Sequence, residues 1–159
     1  HGTKVGIGTA ITTRLYELLR DADVDFVQAA QKAKAFDVAK WKADVETYYR
    51  QCSPEILALS EKDGRNSLTN RLERLQTIEK HWQEIHEVCT DIVSSEKIKE
   101  ILYSANAPVN PQDVGIDCKM AVDAIRMAKE VRNRYTILGL LADLGMLDQF
   151  SEQIGKELK

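Results

Sequence analysis

A chain of 159 residues has room for one domain and can bury a core without metals or disulfides to hold it. Its 22 Lys and Arg against 25 Asp and Glu give a formal charge of -3, which argues against a general electrostatic attraction to nucleic acid or an anionic membrane. Leu, Ile and Ala dominate the apolar set, Gly (8) and Pro (3) are scarce, and the three cysteines, Cys52, Cys89 and Cys118, stand alone with no CxxC spacing. No apolar run approaches the roughly 18 residues of a membrane span. This composition predicts a soluble, cytoplasmic, helical protein with reduced thiols.

Taken in chain order, Gly2, Gly6 and Gly8 precede a segment, Ala10 to Arg20, with the apolar step of an amphipathic helix. Glycine costs a helix about 1 kcal/mol relative to alanine, so three of them together imply a close approach to the backbone by a packed helix or a ligand. Val24 to Tyr49 reads as two short helices meeting near Phe36-Asp37, and Ser53-Pro54-Glu55 as an N-cap with proline at the first helical position. Asp63 to Asn66 is a turn, with Asn66 or Ser67 capping one long helix from Ser67 to about Val93. Its apolar face runs Leu68, Leu72, Leu75, Ile78, Trp82, Ile85, Cys89, Ile92. Ser94 and Ser95 break it, and a shorter helix follows to about Asn106-Ala107-Pro108.

Asn110-Pro111-Gln112-Asp113 is a brief helix or turn. Asp117 then caps a firmer helix from Cys118 to about Asn133, with Met120, Ala121, Ala124, Ile125, Ala128 and Val131 on one face. Ile137 to Leu147 and Phe150 to Leu158 form short terminal helices broken near Gly145. No segment alternates strictly enough for a strand. The expectation is a single all-α domain over residues 1–159, a bundle of eight or so helices.

Three features invite a chemical reading. Gly6-Ile7-Gly8 is not a dinucleotide fingerprint, because Ile11 replaces the third glycine and no βαβ unit surrounds it. His81 and His86 are five residues apart, which turns them away from one another on a helix, so they read as surface or rim side chains. Arg132-Asn133-Arg134-Tyr135-Thr136 either binds a phosphate or, more simply, sets positive charge against a helix C-terminus. If helical, arginines two residues apart would point in different directions.

His1-Gly2-Thr3-Lys4-Val5-Gly6-Ile7-Gly8-Thr9 resembles the H-G-x-x-V-(G/A)-(I/V)-G segment of the dehydroquinate-synthase-like, metal-dependent alcohol dehydrogenase superfamily, with Thr3 departing from the acidic residue common at its position. Far along the chain, Val131-Arg132-Asn133-Arg134-Tyr135-Thr136-Ile137-Leu138-Gly139-Leu140-Leu141-Ala142-Asp143-Leu144-Gly145-Met146-Leu147 resembles the R-x-R-(Y/F)-T-x-L-x-L-x-x-x-L-G-x-L pattern near the end of bacterial sn-glycerol-1-phosphate dehydrogenases. The two matches stand in order near the two ends.

The resemblance implies that the chain is the larger part of the helical C-terminal domain of a two-domain oxidoreductase. Such an enzyme binds NAD(P) on an upstream α/β domain and a divalent metal, zinc or nickel, in the interdomain cleft. It interconverts dihydroxyacetone phosphate and sn-glycerol 1-phosphate by hydride transfer. His1 is then a metal ligand, while the aspartate and second histidine that complete the set lie upstream. The helical part alone is expected to be inactive and to hold neither metal nor cofactor. Its implied partners are its own N-terminal nucleotide-binding domain and a small phosphorylated substrate, with room for a homo-oligomer. Two alternatives stay open: a non-catalytic helical interaction domain, or another metal-dependent polyol dehydrogenase of the same superfamily.

Overall fold

The structure, a computed structural model, describes residues 2–159, and these contain helices and turns but no strand. In chain order the helices are α1 (Gly2–Arg20), α2 (Phe26–Lys34), α3 (Val38–Tyr49), α4 (Ser53–Lys62), α5 (Leu68–Lys80), α6 (Trp82–Thr90) and α7 (Ser95–Ser104). They continue with α8 (Cys118–Met127), α9 (Ile137–Asp143) and α10 (Leu147–Glu157). Short 3-10 turns, η1 (Arg50–Cys52), η2 (Pro111–Val114) and η3 (Ala128–Glu130), punctuate them. The chain is therefore all-α. Its described residues form two compact units, one from 2–23, 82–124 and 148–159, the other from 24–81 and 125–147.

In the first unit α1 packs on α6 and α7. The helix begins at Gly2 rather than at Ala10, and Gly6 supplies the reason: a Cβ there would stand 2.6 Å from Leu102 Cδ2 of α7. Ile7 and Ala10 are buried. Close packing on α7 offsets the intrinsic cost of the glycine. Gly2 and Gly8 meet nothing within 4 Å of the same point, so contact explains only one of the three.

Polar groups fix the ends of these helices. Glu17 of α1 accepts from the Ser95 N–H at 2.7 Å and the Ser95 hydroxyl at 2.9 Å, which satisfies the start of α7. Arg14 donates to both carboxylate oxygens of Glu157 at 2.9 and 2.8 Å, and to Glu17 at 3.0 Å, joining α1 to α10. Asp117 caps α8 through the Met120 N–H at 2.7 Å, while Asn110 and Asp113 form a reciprocal capping box on η2.

In the second unit α2 packs on α5, α3 on α4, and α9 on α5 and η3. Asp25 and Asp37 cap α2 and α3 through the N–H groups of Gln28 and Lys40, so the two helices meet where the sequence implies. Ser67 caps α5 through the Asn70 N–H. Ser53 stands one place inside α4 and not at its cap, because its hydroxyl donates back to the Arg50 carbonyl at 2.6 Å. Gly145 takes the left-handed turn after α9 at φ 68°, and its carbonyl accepts from Lys32 Nζ of α2 at 2.9 Å.

Two elements differ from the sequence expectation. The long helix from Ser67 is two helices, α5 and α6, separated by His81, whose φ of -108° and ψ of 19° leave the helical basin. The apolar step continues across the joint because both helices bury that face, Leu75 and Ile78 in one unit and Cys89 in the other. A one-residue joint keeps the helical spacing, so periodicity does not register it. The helix from Cys118 stops at Met127 rather than near Asn133. The Tyr49 hydroxyl donates to the Met127 carbonyl at 2.7 Å, and Arg65 donates to the carbonyls of Lys129 and Arg132 at 2.9 and 3.2 Å. Side chains thus satisfy carbonyls that a longer helix would pair internally. The buried face is Ala121, Val122 and Ile125, whereas Met120 and Val131 are about half exposed, at 53% and 48%.

Gly8→Ala is expected to stabilise the protein by about 0.5–1 kcal/mol, since alanine restores helix propensity in open space. Gly6→Ala should gain clearly less, because Leu102 must swing away. Thermal denaturation of both variants checks this, and equal gains would remove close packing as the reason for Gly6.

The same unit carries an acid-sensitive element. The Arg14 guanidinium holds Glu157 below its ordinary value of 4.5. For Glu17 burial acts upward, but the bonds from Ser95 and Arg14 together bring it below 4.5. Carboxylates lowered by folding contribute stability that is complete above their unfolded value and is lost as pH falls through the folded one. Stability should therefore drop below pH 4.5. Arg14→Met, at a cost on the order of 1 kcal/mol near pH 7, should flatten that acid limb of the melting temperature.

Candidate functional site

The second unit places a dense polar cluster on the segment from η3 to α9. Asp143, 6% exposed, accepts from Arg74 Nε at 2.9 Å and Nη2 at 2.8 Å, a fork-to-carboxylate pair, and its Oδ2 also accepts from the Tyr135 hydroxyl at 3.0 Å. The bond to Asp143 raises the pKa of Arg74. Although Tyr135 is 58% exposed, its hydroxyl is set against Asp143, where local desolvation and then the charge of Asp143 raise the phenol above its ordinary range. Gly139 makes the Tyr135 contact feasible, since a Cβ there would lie 3.2 Å from the tyrosine ring.

A relay of guanidinium groups extends from this pair. Arg74 Nη1 donates to the Arg65 carbonyl at 3.0 Å, and Arg65 in turn holds the carbonyls of Lys129 and Arg132. Glu130, 1% exposed, forms an ion pair with Lys129 and lies 3.7 Å from Arg65. Burial is the main influence raising Tyr49 to about 12, ahead of the charge of Glu130. Arg71 lies over the Phe36 ring, 3.8 Å from its centroid, and burial lowers its pKa.

Arg132 and Arg134 stand apart from this relay. Both are exposed, and among the described residues their side chains make no hydrogen bond or ion pair. The segment carrying them is not helical, which corrects the expectation of positive charge at the end of a helix. The terminal carbonyls there belong to Arg65 and Tyr49. Arg132, Arg134 and Thr136 instead line one cavity of about 260 Å³ together with Lys129, Val131 and Leu138.

The other sequence candidates fall elsewhere. His1, the expected metal ligand, lies outside the described residues. The turn after it, Gly2 to Val5, is an exposed start to α1. His81 ends α5, and His86 bonds the Arg20 carbonyl at 2.9 Å, each on a separate helix. Cys52, Cys89 and Cys118 are free thiols. Among the described residues no three His, Cys, Asp or Glu side chains cluster as a metal site requires. No described helix is long and apolar enough to cross a membrane. Sequence reasoning overlooked Arg65, Arg74 and Asp143, whose spacing along the chain carries no periodic signal.

Asp143→Asn should cost about 2 kcal/mol, less than a fully buried pair because Arg74 is partly open to solvent. Tyr135→Phe should cost about 1 kcal/mol, and the double variant less than the sum, since both donors share one oxygen. Urea denaturation checks all three. Strict additivity would show that the two donors act independently.

No family model, no curated protein and no solved structure matches this chain.

Proposed function

We propose that the chain is the helical part of an NAD(P)-dependent oxidoreductase resembling sn-glycerol-1-phosphate dehydrogenase, acting on dihydroxyacetone phosphate. The reading rests first on the two sequence resemblances. Two specified positions of the second have separate structural jobs: Tyr135 donates to Asp143, and Gly145 turns the chain at positive φ.

In this reading a nicotinamide bound on the upstream half would supply the hydride that reduces the ketone, the proton coming from elsewhere. The described residues do not fit a metal by themselves, for want of three clustered ligands. His1 would contribute one ligand and the nucleotide-binding half the rest. The competing reading, a helical interaction domain, draws on exposed apolar side chains in the first unit, with Tyr103 78% and Val88 62% exposed.

The protein expressed from its entire reading frame is expected to oxidise NADH or NADPH with dihydroxyacetone phosphate, and to require added zinc or nickel after chelation. His1→Ala should lower that activity by about 100-fold while leaving the helical circular dichroism unchanged. A folded full-length protein with no turnover, or with turnover indifferent to metal, overturns the assignment and favours the interaction domain.

A further inference from the structure

We propose that the cavity beside Arg132 and Arg134 receives α6 of a second copy of this chain, with Val88 seated in it and the carboxylates around Val88 facing the two arginines. The size and lining of the cavity suit a side chain. At about 260 Å³ it lies below the range of cofactor and drug-sized sites, and Ala128, Val131 and Leu138 give it an apolar wall. An apolar anchor held inside a polar rim is the usual anatomy of a protein contact. Here the rim is cationic. Arg132 and Arg134 are exposed and have no carboxylate or carbonyl partner among the described residues. The acids near them in the chain are taken, Glu130 by Lys129 and Arg65, Asp143 by Arg74.

The complementary surface stands on the first unit. α6 exposes Val88, 62% open to solvent, and Glu84, Glu87 and Asp91, all exposed, lie within four residues of it. No Lys or Arg occurs between Lys80 and Lys97, so no fixed positive charge offsets these carboxylates locally. Glu87 accepts from the neutral amide of Gln83 at 3.3 Å, which leaves its charge unbalanced. Among the other exposed apolar side chains Val27 is the nearest rival, with Asp23 and Asp25 beside it, but Asp25 is committed to capping α2.

Opposite charge orients such an encounter, while the apolar contact supplies attraction that salt does not screen. Each copy offers one α6 and one cavity. Unlike surfaces therefore meet, and the contact is of the head-to-tail kind. One side chain in a small cavity buries far less than a standard interface, so the dissociation constant should be on the order of 100 μM.

Sedimentation equilibrium of the full chain, from about 10 μM to about 1 mM, tests this. The average mass should rise with concentration, and raising salt from about 0.1 M to about 0.5 M should weaken the association severalfold. Val88→Asp should abolish it, as should Arg132→Glu combined with Arg134→Glu. Each of these two variants stays monomeric alone, but mixing them in equal amounts should restore a complex near the wild-type affinity, because one retains the cavity and the other retains α6. Val27→Asp should leave association unchanged. Circular dichroism verifies that the variants, all at exposed positions, fold. A wild-type chain that is monomeric throughout overturns the proposal in favour of a foreign acidic segment as the occupant. Association that survives either variant, fails to return on mixing, is indifferent to salt or is lost in Val27→Asp overturns it too. Mass is read rather than turnover, so these outcomes are separate from success or failure of the dehydrogenase assay.

Discussion

A carboxylate removed from water costs several kcal/mol unless its oxygens are fully engaged, and Asp143 at the end of α9 is such a group. The second unit is organised around satisfying it. Arg74 reaches it from α5 with a two-pronged bond, and Tyr135 reaches it from the segment preceding α9. Arg74 simultaneously fixes the Arg65 carbonyl, and Arg65 carries the constraint on to the carbonyls after α8. One buried charge therefore ties together α5, the turn before it, η3 and α9. Its consequence is a non-helical segment held in place from both sides.

The first unit uses the same device on a smaller scale. Glu17 is a helical side chain that caps a different helix, accepting from Ser95 of α7, while Arg14 one turn away reaches Glu157 of α10. Apolar burial of Ile7, Leu15 and Leu19 brings the elements together without direction. Carboxylates then select one register among the packings that hydrophobic contact alone would allow. The near approach of Gly6 to Leu102 adds a steric condition at the other end of α1.

What could be read from the sequence follows from how local each signal is. The cap residues Ser67 and Asp117, the box at Asn110 to Asp113 and the turn at Gly145 depend on neighbours within a few positions, so residue order suffices. The joint at His81 was illegible because it leaves the helical basin at a single residue without changing the spacing of buried residues and carries neither glycine nor proline. The end of α8 was illegible for another reason: Tyr49 and Arg65, which satisfy its carbonyls, lie more than 60 residues away. The arginines at 132 and 134 stand out in the sequence, but the apolar steps before them imply a helix to about Asn133, whereas residues 131–133 are bends and 134–136 are not helical.

The arginines of the second unit differ in how far they are committed to its internal bonding. Arg65, Arg71 and Arg74 are spent inside it, on carbonyls, an aromatic ring and a buried carboxylate, and their removal would be felt as lost stability. Arg132 and Arg134 hold nothing in place with their side chains, and only the Arg132 carbonyl enters the relay.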